Sequence, residues 1–173
     1  MQFFTQDVHV ENITYRKKSG LSGVLFVFCI IMAVLMFFLG VIFPPALLLC
    51  LGFGGLGYFT KSRDTREYES DYTNGVLDVA VIYGKQSRKE LVSIDMENLV
   101  VMAPSKSDPL AAYVGRKMKT YDCTSHEEGA PYYCLVFRNP AHNNEEEKLL
   151  FEPDEELFDA IWSKHPHEVH KTV

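Results

Sequence analysis

The chain has 173 residues, 17 basic and 23 acidic side chains, a formal net charge of −6 and four cysteines. That length holds one folded domain and a shorter additional segment. The acidic balance is unsuited to nucleic acid, which takes a basic surface, and four cysteines do not make a disulfide scaffold in a chain of this size.

Residues 1–20 form an N-terminal segment in which Val8-His9-Val10-Glu11-Asn12-Ile13-Thr14-Tyr15 alternates in part between apolar and polar. The alternation predicts a strand that adds to, or packs on, the edge of a later β-domain. Tyr15-Arg16-Lys17-Lys18 follows, and the next charged residue is Lys61. The 42 uncharged residues from Ser19 to Thr60 would make about 63 Å of helix, roughly twice the hydrocarbon thickness of about 30 Å. Pro44-Pro45 breaks the run, because proline disfavours helix at the residue before it and suits a new helix start. The reading is a transmembrane helical hairpin over 21–60, with spans at about 21–43 and 45–60. The run is too long for the apolar core of a signal peptide.

Gly52-Phe53-Gly54-Gly55-Leu56-Gly57 matches the dinucleotide-binding template letter for letter. That template needs a strand before it and a helix starting at it, and neither is indicated, so no cofactor is expected. In a membrane helix, Gly52 and Gly55 instead form a small-residue face that lets the two spans pack. A second reading has the same face also forming a homodimer. Basic residues flank the outer ends of both spans, whereas the Pro-Pro turn has no charge. This places both termini in the cytoplasm and makes the protein a multi-pass component of the cell membrane, with the lipid bilayer as its first partner. Cys123 and Cys134 then lie in a reducing compartment, where half-buried strand positions are the expected role. With His126 between them they lack the spacing of a metal site.

Residues 61–165 read as a β-domain. Strand signals run from Glu67 to Thr73 and from Val76 to Tyr83, joined by Asn74-Gly75, a strong two-residue hairpin signal. Further strands are predicted over 88–94, 99–103, 118–124, 132–138 and 147–152. Pro153 suits a first helical position, and Asp154, Glu155 and Glu156 favour the positive end of a helix. Leu157, Ile161 and Trp162 mark the stripe that packs on the sheet as domain core. Residues 166–173, with His167 and His170, read as a disordered tail.

Seven antiparallel strands followed by an amphipathic helix carrying a tryptophan resemble the pleckstrin-homology architecture. The fold class is therefore α+β: a transmembrane hairpin, then a seven-stranded pleckstrin-homology-like domain with a C-terminal helix. The whole chain also resembles an uncharacterised family of small bacterial membrane proteins, with a basic N-terminus, two spans around Pro44-Pro45 and a segment like Tyr72-Thr73-Asn74-Gly75-Val76-Leu77-Asp78. That resemblance implies no known activity.

No nucleophile–base pair, paired acid or ligand cluster stands out, so neither catalytic nor metal residues are assigned and the chain reads as a non-enzyme. Lys85, Arg88 and Lys89, and Arg116 and Lys117, are candidate contacts to anionic lipid or to a partner. Pleckstrin-like domains that grip phosphoinositides use a long basic loop after their first strand. Here that loop is only Asn74-Gly75, a departure that argues against headgroup recognition. The expected function is a membrane-anchored interaction or scaffold module that presents a small β-domain to an unknown protein at the inner membrane surface. The alternative is a membrane-surface enzyme or lipid/ligand-binding protein with its site in the β-domain.

Overall fold

The computed structural model describes residues 9–17, 20–64, 66–84 and 87–171. The chain divides into two compact units. Among the described residues, 9–16, 67–82 and 88–171 form the first unit, and 17, 20–64, 66, 83–84 and 87 form the second.

The first unit carries two four-stranded sheets. One has the order β1-β2-β3-β4, with β1 His9–Tyr15, β2 Arg66–Thr73, β3 Val76–Tyr83 and β4 Ser87–Asp95. The other has the order β5-β7-β8-β6, with β5 Leu99–Pro104, β6 Thr120–Asp122, β7 Tyr133–Asn139 and β8 Glu145–Phe151. There are eight strands rather than the seven expected, the extra one being β1, the N-terminal segment whose alternation predicted an edge strand. It pairs antiparallel with β2 over its full length, from His9 opposite Thr73 to Tyr15 opposite Glu67. Between β2 and β3, Asn74 and Gly75 both take positive φ, 51° and 98°, as the two-residue hairpin turn requires.

One strand departs from the all-antiparallel expectation. β6 does not form a hairpin with β7 but runs parallel to β8, with Tyr121 opposite Leu149. The cause is the ten-residue connection from Cys123 to Tyr132, which carries the chain past β8 before β7 begins. Cys123 and Cys134 consequently flank β8 from opposite sides: the Cys123 N–H donates to Leu150 O, and Cys134 stands opposite Leu150 in β7. Two strand spacings are about 9–10 Å, beyond disulfide reach.

α3, Glu155–Lys164, is capped by the Asp154 side chain, which accepts from Leu157 N at 2.8 Å. The helix thus opens one residue after its cap, and Pro153 precedes it rather than occupying its first position. Leu157 and Ile161 are fully buried. Trp162 corrects the core expectation: it is 41% exposed. One residue beyond Ile161 is about 100° around the helix, which turns the indole out of the buried stripe, and the Lys171 ammonium lies 4.8 Å over its ring.

The tail is likewise not frayed over 166–171. Met102 N donates to Glu168 O and His170 N to Met102 O, both at 2.8 Å, so this segment bridges onto the outer edge of β5. Val169 is buried, and Lys171 pairs with Asp159 at 3.0 Å. Residues 172–173 lie outside the described residues.

Tyr72 is completely buried in β2, and its hydroxyl has no hydrogen-bond partner among the described residues. Burial pushes its pKa up. A buried unsatisfied hydroxyl costs on the order of 1–3 kcal/mol. Tyr72→Phe is therefore expected to raise stability by about 1 kcal/mol, read as a rightward shift of the urea midpoint at unchanged slope.

The second unit is an antiparallel helix pair. α1 spans Gly20–Ile42 and α2 spans Ala46–Asp64, joined through Phe43-Pro44-Pro45. α1 is long and apolar enough to cross a membrane: its 23 residues make about 35 Å of helix. The apolar part of α2, Ala46–Ser62, is shorter. The glycines that bring the helices together are not those expected. A Cβ on Gly57 would stand 3.3 Å from the Cys29 Cβ, and one on Gly40 would meet the Leu47 side chain at 2.6 Å. Gly52 and Gly55 are exposed, with no neighbour within 4 Å of their Cβ positions. Of the four glycines in the 52–57 motif, the helix rotation turns only Gly57 directly against α1.

Candidate functional site

The basic residues proposed as contacts divide according to their partners. Arg88 grips Glu69 with two bonds, Nη2 to Oε1 at 2.7 Å and Nε to Oε2 at 3.2 Å. That pairing raises the Arg88 pKa. Arg116 donates to Glu146 Oε2 at 2.8 Å and stacks on Tyr113 at 5.5 Å. Both guanidinium charges are thus offset locally. Lys89 and Lys117 are exposed, and Lys85 lies outside the described residues. The two clusters belong to different sheets or their loops.

A polar cleft of about 570 Å³ lies beside the connection from β6 to β7, lined among others by Asp122, Thr124, His126 and Glu152. Asp122 Oδ1 accepts from Thr124 N at 3.2 Å and from Thr124 Oγ1 at 2.8 Å, and its other oxygen faces His126 Nε2 at 2.9 Å. Burial works to raise the Asp122 pKa, but the Thr124 bonds and His126 outweigh it and hold the carboxyl below its usual value. Glu152 Oε1 accepts from Ser125 N at 2.8 Å and Ser125 Oγ at 2.9 Å, and Glu152 O accepts from Asn12 Nδ2 at 2.8 Å. The neighbouring Cys123 thiol is pushed up to about 12 by burial, which leaves it unreactive near neutral pH. These groups are spent on anchoring a loop and tying β1 to the strand end.

The alternation over residues 8–15 predicted an added edge strand, and β1 is one; what sequence reasoning missed is that the helix pair then lies inside the first strand-to-strand connection. Strands β1 and β2 are neighbours, yet everything from Lys17 to Thr65 lies between them in the chain. The helix pair is therefore an insertion in the first strand-to-strand connection. At the exit, Arg16 Nη1 donates to the Tyr68 hydroxyl at 2.7 Å. At the return, the Arg66 guanidinium lies 5.6 Å over the Tyr83 ring. This overturns the argument that the first loop is only Asn74-Gly75. The first loop is the basic-flanked apolar hairpin itself. The available signal was the alternation in His9–Tyr15, which has a matching partner only some fifty residues later.

Residues 6–171 match the family described as Bacterial PH-like domain (DUF6106). The chain belongs to this family. The matched span runs from before β1 to the end of the described tail, so in this Bacterial PH-like domain the helix pair lies within the family's own extent. No curated protein and no solved structure matches the chain. The PH-like assignment agrees with two sheets followed by a C-terminal helix, with β6 inserted between β5 and β7 in sequence.

Proposed function

We propose that this PH-like protein is a membrane-anchored interaction module whose anchor is a two-span hairpin threaded through the first loop of the domain. The observation that carries the reading is the full-length pairing of β1 with β2. Strands in one sheet share one side of a bilayer, so the chain between them makes an even number of crossings. α1 is long and apolar enough for one crossing, and α2, ending in Lys61 and Asp64, brings the chain back. Exposed Leu21, Val24, Phe38 and Val41 give α1 an apolar surface of the kind that lipid covers. Arg16 and Lys17 before the helix pair, and Lys61, Arg63 and Arg66 around its end, favour the cytoplasmic side.

Two strands, rather than one short tether, then hold the domain. Two covalent connections suit a domain that receives a protein partner at the membrane.

Impermeant maleimide labelling of intact cells tests the topology, using single cysteines in a background lacking the four native ones. Glu11→Cys and Ser163→Cys are expected to label only after permeabilisation, and Phe43→Cys before it. Labelling of Glu11→Cys and Ser163→Cys from opposite sides would overturn the reading.

A further inference from the structure

The helix pair carries a groove that is apolar at one end and cationic at the other. It measures about 410 Å³, within the range of ligand pockets, and is lined by Phe26 and Ile30 of α1 and by Gly54, Tyr58, Lys61 and Ser62 of α2. Gly84 also lines it. Gly57 draws the helices together against Cys29, whereas Gly54, one turn earlier, has nothing within 4 Å of its Cβ position. Gly54 is therefore floor, and any side chain there would enter the groove. From Gly54 to Lys61 is about 10 Å along the helix. Over that distance the lining changes from Ile30 and bare glycine to the Tyr58 phenol, the Lys61 ammonium and the Ser62 hydroxyl, with the Phe26 ring at the cationic end. The Lys61 ammonium sits 4.8 Å over the Phe26 ring, and among the described residues no carboxylate pairs with it.

We infer that this groove is a binding site for one anionic glycerophospholipid, its phosphate at Lys61 and Ser62 and the first methylenes of an acyl chain along Gly54 and Ile30. The inference rests on the membrane reading above and adds a ligand to it. Charge complementarity selects the occupant: the cation marks the end of the groove nearest the end of α2, where a headgroup would lie, and the apolar end points into hydrocarbon. A peptide would leave its backbone groups unpaired at that depth, whereas an acyl chain has none. A Lys61 contact near a lipid surface corresponds to about a fivefold preference for the anionic headgroup.

Full-length protein reconstituted in phosphatidylcholine vesicles, probed with spin-labelled phosphatidylglycerol and spin-labelled phosphatidylcholine, tests this. The motion-restricted fraction is expected to favour phosphatidylglycerol about fivefold. Lys61→Gln should bring that ratio close to one without changing phosphatidylcholine. Gly54→Leu, which places a better helix former in α2, should reduce restriction of both lipids. Unchanged selectivity in Lys61→Gln would overturn the site. Loss of the restricted phosphatidylglycerol on adding inorganic phosphate at constant ionic strength would assign the groove to a soluble anion and also overturn it. Failure of the protein to float with the vesicles sinks the membrane reading and this inference together, whereas flotation without selectivity sinks this inference alone.

Discussion

Replacing Ile161 with alanine is expected to destabilise the PH-like domain by about 2–5 kcal/mol, whereas replacing Trp162 should cost only about 1 kcal/mol. The order runs against residue size. Ile161 is fully buried on the stripe of α3 that also carries Leu157 and Phe158. Removing its branched side chain leaves a cavity that strands and helix cannot close, and cavity and transfer terms add. Trp162 is 41% exposed, and its best contact is the Lys171 ammonium at 4.8 Å, a surface cation–π pair. Urea titration of both variants, compared at equal slope, checks the ranking. If Trp162→Ala proved the more damaging, α3 would have to be rotated on the sheet, with the indole underneath.

The second large effect belongs to Glu147, whose carboxylate is only 3% exposed at the start of β8. Burial alone would raise its pKa. Hydrogen bonds from Asn139 Nδ2 at 2.9 Å, from His142 and from the Tyr121 hydroxyl at 3.0 Å, together with Lys119 Nζ at 3.6 Å, outweigh that and hold it below the usual value. A carboxyl with a depressed folded pKa contributes stability that is fully present above its unfolded value, about 4.3, and is lost as pH falls through the folded pKa. Wild type should therefore lose stability as the pH falls below about 5, and Glu147→Gln should lose less over the same interval. At pH 7 the Gln variant is expected to be less stable by about 2 kcal/mol, since hydrogen bonds to a charged group are the stronger ones. Parallel pH profiles for the two proteins would refute this account. The carboxylate also holds together the β7–β8 turn, where Asn139 caps a short 3₁₀ turn and Asn143 and Asn144 take positive φ. Acid should loosen this end of the second sheet first, which hydrogen exchange at the β7–β8 turn would register.

Local chemistry made much of the architecture legible. The uncharged run with Pro44-Pro45 in its middle specifies two helices, because proline's ring fixes a break wherever it falls. Asn74-Gly75 specifies a hairpin, because both residues tolerate positive φ, and they adopt it. Asp154, Glu155 and Glu156 followed by Leu157, Phe158 and Ile161 specify a helix with one buried face, although its cap is Asp154 and Pro153 stays outside it. Each of these signals is contained within a few residues. The basic clusters were visible too, but their value was not. Whether Arg88 and Arg116 are available depends on Glu69 and Glu146, which come from other strands.

The sequence by itself thus determined the elements and their order, because helix, turn and cap preferences act between neighbours along the chain. Only the tertiary structure decided that β1 pairs with β2 around the helix pair, that β6 lies parallel to β8, that Gly57 rather than Gly52 meets α1, and that the tail seals the edge of β5. Those outcomes depend on partners distant in sequence, or on the rotation of one helix against another. A short alternating segment such as His9–Tyr15 carries no record of which strand it will join, since backbone hydrogen bonds are alike for every sequence and the choice is made by what the two faces bury.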